Sequence, residues 1–121
     1  MPHSGRPVDR ERLEHMLNAA RDTVTITSDR RRSELDSDIL LRHALIRCVQ
    51  LIGEAAARIG DSTREQIPDL PWPRMVGMRH ILVHDYFKVD HDAVWRTATE
   101  HIPLMIPLLE VALANWPMSE L

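Results

Sequence analysis

ILLRHALIRCVQLIGEAAARIG, residues 39–60, is the stretch on which the fold turns. Its apolar side chains Leu40, Leu41, Ala44, Leu45, Ile46, Val49, Leu51, Ile52, Ala55, Ala56 and Ile59 recur at helical spacing but spread over more than one face of the cylinder. Such a helix must be covered from several sides, so it is expected at the centre of the molecule. Ser37 stands where a cap would start it, and Gly60 where a helix ends. Cys48, the only cysteine, falls inside the run and reads as a small buried thiol; alone it forms neither an internal disulfide nor a cysteine metal site.

Upstream, Leu13, Met16, Leu17, Ala20 and Val24 line one face of a first amphipathic helix over about residues 9–27, with Asp9 as its expected N-cap. Between the two helices, residues 28–38 are polar, hold Arg30, Arg31 and Arg32, and show no apolar period. They read as a connection or frayed helix end, with a solvated charge run and a contact to RNA backbone as the two readings of the arginines. Downstream, Pro68, Pro71 and Pro73 around Trp72 form a rigid break, and Pro73 suits the first turn of a third helix reaching residue 83 or 84. A fourth starts at Asp90 as cap, with Val89 and Val94 as a hydrophobic staple. It runs to about residue 116, with a kink expected where Pro103 and Pro107 remove backbone donors. No segment alternates with the period of a strand, so the fold class is all-α, an antiparallel bundle.

With 121 residues the chain can bury one core and is short for two, so one domain over residues 1–121 is expected, with residues 1–8 a flexible N-terminal segment. Hydrophobic residues at 44% and charged residues at 27% match packed globular proteins rather than disordered ones. The longest apolar stretch, residues 102–109, falls far below the roughly 20 residues that span a bilayer, and no secretory pattern opens the chain; a cytoplasmic protein with no membrane contact is expected. A net charge of -3 argues against non-specific nucleic-acid binding by the whole surface, so any RNA site must be local. All of the 15 basic Lys and Arg residues except Lys88 are arginine, whose planar fork suits phosphate and buried carboxylate.

The chemistry concentrates in MRHILVHDY, residues 78–86, which holds Arg79, His80, His84, Asp85 and the only tyrosine, Tyr86. Cleaving RNA without a metal requires a base for the 2′-hydroxyl proton, an acid for the leaving oxygen, and a cation for charge growing on phosphate. Histidine titrates near neutrality and can serve either proton transfer, which marks His84; a permanently charged guanidinium grips phosphate, which marks Arg79. On an ideal helix the two are about 140° apart and share a face only loosely. A loosened helix, or a second subunit bringing its own pair by two-fold symmetry, would let them converge.

Plainer readings stand beside this one. His80 and His84 have the spacing of half a zinc site but lack the HExxH glutamate. Arg79 could pair with Glu54 inside the bundle, and Tyr86 could be a core aromatic with a satisfied hydroxyl. Residue chemistry alone leaves these open.

The segment R-H-I-L-V-H-D-Y from Arg79 to Tyr86 resembles the R-x4-H-x-Y signature of the HEPN superfamily, specifically its HepT toxins of HepT/MntA toxin–antitoxin systems. His80 is of a polar type usual after that arginine. Around it, Ile52-Gly53-Glu54-Ala55, Ile67-Pro68 to Pro71-Trp72, Gly77-Met78 and Val89-Asp90 with Val94-Trp95 follow the family pattern in order, over roughly residues 13–109. The resemblance implies a bundle of four to five helices and a homodimer with the cleft at its interface. It implies metal-independent endoribonuclease action, without cofactor, by catalytic Arg79 and His84, with His80 auxiliary. It also implies an MntA-like nucleotidyltransferase antitoxin that adds AMP to Tyr86, together with higher hetero-oligomers of the two. The alternative is a non-catalytic helical interaction subunit of a nucleotidyltransferase complex; a small metal-binding bundle using His80 and His84 comes last.

Overall fold

A computed structural model describes residues 7–80 and 90–116. The described residues are helical throughout their ordered elements and contain no strand. Helix α1 spans Pro7–Thr27, the single turn α2 Glu34–Ser37, and the central α3 Ile39–Arg58. Helix α4 follows at Asp61–Gln66, then α5 at Trp72–Gly77 with a 3-10 turn at Met78–His80. The C-terminal rod is α6, His91–Arg96, a π segment at Thr97–His101 and α7, Ile102–Ala114.

The central position expected for residues 39–60 holds. Val49, Ile52 and Ala56 of α3 share one core with Leu13, Met16, Leu17 and Ala20 of α1, Trp72 and Met75 of α5, and Ile102, Met105 and Leu109 of α7. Helices α1 and α3 run antiparallel: near one end Arg12 donates to the Arg58 carbonyl at 2.7 Å, and near the other Thr23 hydrogen-bonds Cys48. Burial pushes the Cys48 thiol up from its ordinary range, opposed by that bond, which leaves it the inert core thiol expected. Arg21 pairs with Glu110 at 2.7 Å to join α1 to α7. A second core of Leu35, Leu41, Leu45, Val94 and Ala98 fastens α2 and α6 to the first half of α3.

Several boundaries differ from expectation. Helix α1 starts at Pro7, which puts Asp9 inside the helix rather than at its cap; residues 1–6 of the expected N-terminal segment lie outside the described residues. The Asp9 side chain is buried and turned across the bundle, where Oδ2 accepts from the Thr63 hydroxyl at 2.8 Å and the Gly60 amide at 3.4 Å. It thus satisfies donors at the start of α4, which residue patterning left unread. Asp38, not Ser37, caps α3, accepting from the Leu41 amide at 3.0 Å. Gly60 has φ -70 and ψ 159, so it opens α4 in extended geometry instead of closing α3 in a left-handed one. The third helix gives way to the 3-10 turn after Gly77, and its expected extension to residue 83 or 84 lies outside the described residues.

Asp90 caps α6 as expected, accepting from Ala93 at 3.0 Å; of the staple, Val94 is buried and Val89 lies outside the described residues. The expected proline break takes the form of the π segment. A proline at 103 would press its ring on the Thr99 carbonyl in a regular helix. Here the turn is widened just before it, and the Ile102 amide reaches back to the Thr97 carbonyl.

Candidate functional site

The 3-10 turn that carries Arg79 is fixed from three sides. Pro71 and Pro73 start α5, and Trp72 is buried with its indole N–H donating to the Ile67 carbonyl at 2.9 Å. The Arg64 guanidinium lies over the Trp72 ring, 5.5 Å from its centroid, while donating to the carbonyls of Ala56 and Ile59 at 2.9 and 3.1 Å. One cation therefore ties the end of α3, helix α4 and the start of α5 together. Met75 and Met78 are buried in the main core, so α5 and the turn cannot roll without exposing them. The third support is Gly53 of α3, against which the backbone of Arg79 rests directly.

Directly after the buried Met78 the Arg79 side chain is exposed. Its Nε donates to Nε2 of His80 at 3.3 Å, which requires that imidazole nitrogen to be unprotonated. The terminal amino groups of the guanidinium enter no ion pair among the described residues. The Glu54 pairing is not found: Glu54 lies 3.9 Å from Arg47, and both side chains are largely solvated. A guanidinium that meets no carboxylate among the described residues, on a packed turn, is equipped to take a phosphate. His84 and Tyr86 lie outside the described residues, as does half of the His80/His84 metal pairing; among the described residues no group of three metal-ligating side chains gathers.

The arginine run of residues 30–32 is mostly engaged elsewhere. Arg30 pairs with Glu34 at 2.9 Å and Asp38 at 2.5 Å; Arg32 pairs with Asp36 at 3.0 Å and with Asp92; His91 Nδ1 lies 2.7 Å from Asp36. These contacts hold Glu34, Asp36 and Asp38 below the usual carboxylate range and raise Arg30 and Arg32 above theirs. Arg30 and Arg32 are thus scaffold, joining α2 to α3 and α6, while Arg31 stays exposed. Gly53 entered the sequence reading only as part of the family pattern and was given no role there, although a glycine inside a helix otherwise rich in strong helix formers was a visible signal.

The profile of the family described as Ribonuclease HepT-like matches residues 16–112. The chain belongs to the HepT-like ribonuclease family. That span encloses Gly53, Arg79 and His80, and the resemblance to HepT-like proteins is borne out. Two proteins of Methanocaldococcus jannaschii that carry provisional RNase names are similar to the chain. One is 35% identical over 99 residues, covering 82% of this chain and 91% of the relative. The other is 37% identical over 91 residues, covering 75% and 78%. A Thermococcus cleftensis protein provisionally named ribonuclease HepT is 42% identical over 60 residues, half of this chain and 54% of the relative. No solved structure matches. No helix among the described residues is long and apolar enough to cross a membrane.

Proposed function

We propose that the chain is the toxin of a toxin–antitoxin pair, a metal-independent endoribonuclease in which Arg79 and His84 act together at the cleft of a homodimer. The 2′-oxygen attacks the adjacent phosphorus after an imidazole takes its proton. The bond to the 5′-oxygen then breaks, and that oxygen leaves with a proton from an imidazolium. The products are a 2′,3′-cyclic phosphate and a 5′-hydroxyl. His84 of each subunit supplies one of these two roles, and Arg79 stabilises the charge that grows on the phosphoryl oxygens. The observation that carries the reading is the exposed Arg79, held on a packed turn with no carboxylate partner among the described residues. Membership of a ribonuclease family supports it.

Regulation follows from the same charge. A nucleotidyltransferase antitoxin transfers AMP from ATP to the Tyr86 oxygen, releasing pyrophosphate, and the new phosphate competes with substrate for Arg79. Purified protein is expected to cut RNA in EDTA, with Arg79→Ala or His84→Ala lowering the rate by about 100- to 1,000-fold. Cutting that EDTA abolishes and the alanine variants retain would refute the mechanism. Tight antitoxin binding with no effect on RNA would leave the chain an interaction subunit instead.

A further inference from the structure

We propose that Gly53 is a positioning residue for Arg79: the bare helix surface at this point sets how deeply the 3-10 turn sits and hence where the guanidinium meets phosphate. This rests on the phosphate-binding role given to Arg79 above. A Cβ on residue 53 would lie 2.3 Å from the Arg79 nitrogen, 2.9 Å from its Cα and 3.0 Å from its Cβ. The two closest atoms are backbone, so no change of rotamer relieves the contact and the turn itself must move.

The direction of movement is constrained. Helix α3 is gripped by buried Val49, Ile52 and Ala56 on either side of residue 53, while the turn is a short segment bearing one buried side chain, Met78. Accommodation therefore falls on the turn, which must retreat by about 1 Å to reach ordinary contact. A shift of that size in a group that stabilises a transition state costs roughly 100-fold in rate. Gly77 supplies the internal control. It sits in the same segment, two residues before Arg79, yet a Cβ there meets nothing within 4 Å.

The experiment compares Gly53→Ala, Gly77→Ala, Arg79→Ala and the double variant of Gly53 and Arg79 on a defined RNA oligonucleotide in EDTA. Circular dichroism melts follow folding, and the NMR signal of the Arg79 Nε–H is recorded with and without inorganic phosphate. Gly53→Ala is expected to stay folded, lose about 100-fold in kcat with little change in KM, and shift the Arg79 Nε–H signal while weakening its response to phosphate. Gly77→Ala should match the wild type. Added to Arg79→Ala, the Gly53 change should cost nothing further.

A folded Gly53→Ala protein with wild-type kcat and an unmoved Arg79 signal overturns the proposal. So does an equal loss in the Arg79→Ala background, or a Gly53→Ala chain that cannot fold while Gly77→Ala does, since either would make the glycine a packing residue only. If Arg79→Ala itself cuts normally, the nuclease reading fails, and the Nε–H signal still decides whether Gly53 places the side chain.

Discussion

Asp9 shows how a single side chain can serve a helix other than its own. Fully buried within α1, it accepts from the Thr63 hydroxyl and the Gly60 amide, with Arg12 3.6 Å from its other oxygen. Asp9→Ala leaves those donors without an acceptor, so it should lower stability by about 1–3 kcal/mol in urea denaturation, whereas Asp9→Asn, which keeps a side-chain oxygen, should lose much less. Equal midpoints for Asp9→Ala and wild type would show that solvent replaces the carboxylate. A cap expected from position at 9 became a bond to a residue 54 positions away because nothing local records which donor a carboxylate will meet. Gly53 is the opposite case, since a helix-interior glycine costs about 0.5–1 kcal/mol relative to alanine and so advertises a compensating contact. What the sequence could not reveal was that the contact is Arg79.

At the scale of elements, α2 and α4 escaped the apolar-period reading for a common reason. Each has one buried side chain, Leu35 and Thr63 respectively, and one residue defines no period. The caps of α3 and α6 are local bonds of three-residue span, and the one at Asp90 was legible; at α3 two adjacent polar residues competed, and Asp38 won because Arg30 and the Leu41 amide both converge on it. The charge cluster around α2 makes a pH prediction. Asp36 is lowered first by its bond to His91 and then by Arg32, Asp38 first by the Leu41 amide and then by Arg30, and Glu34 first by Arg30. Because the folded values are depressed, the unfolded chain takes up protons first on acidification. The stabilisation is complete above the ordinary carboxylate pKa of about 4 and is lost as pH falls through the folded values. The denaturation midpoint should therefore drop steeply below about pH 4, and replacing Asp36 and Asp38 by Asn should flatten that drop. Parallel pH curves for wild type and the double variant would show that these carboxylates contribute no acid sensitivity.

Across the whole molecule, the all-α class and the central helix were readable because they follow from hydrophobic period, and the family from residues at fixed order along the chain. The mutual placement of elements was not, since it depends on contacts such as Asp9 with Thr63 and Arg21 with Glu110 that join distant positions. The proposed cleft raises the same issue between chains. One subunit offers Arg79 on a turn whose partner residues within hydrogen-bond reach include an imidazole but no carboxylate among the described residues, and the reaction needs two proton carriers. If two-fold symmetry completes the site with one His84 from each subunit, a dimer of one wild-type and one His84→Ala subunit keeps a single proton carrier. His84→Ala alone should be nearly inactive, and an excess of it under conditions of subunit exchange should silence wild-type chains by drawing them into mixed dimers. Light scattering would establish the dimer, and differently tagged subunits would establish exchange. Demonstrated exchange with cleavage still proportional to the wild-type subunits would mean that each chain carries a complete site, and the shared cleft would have to be abandoned.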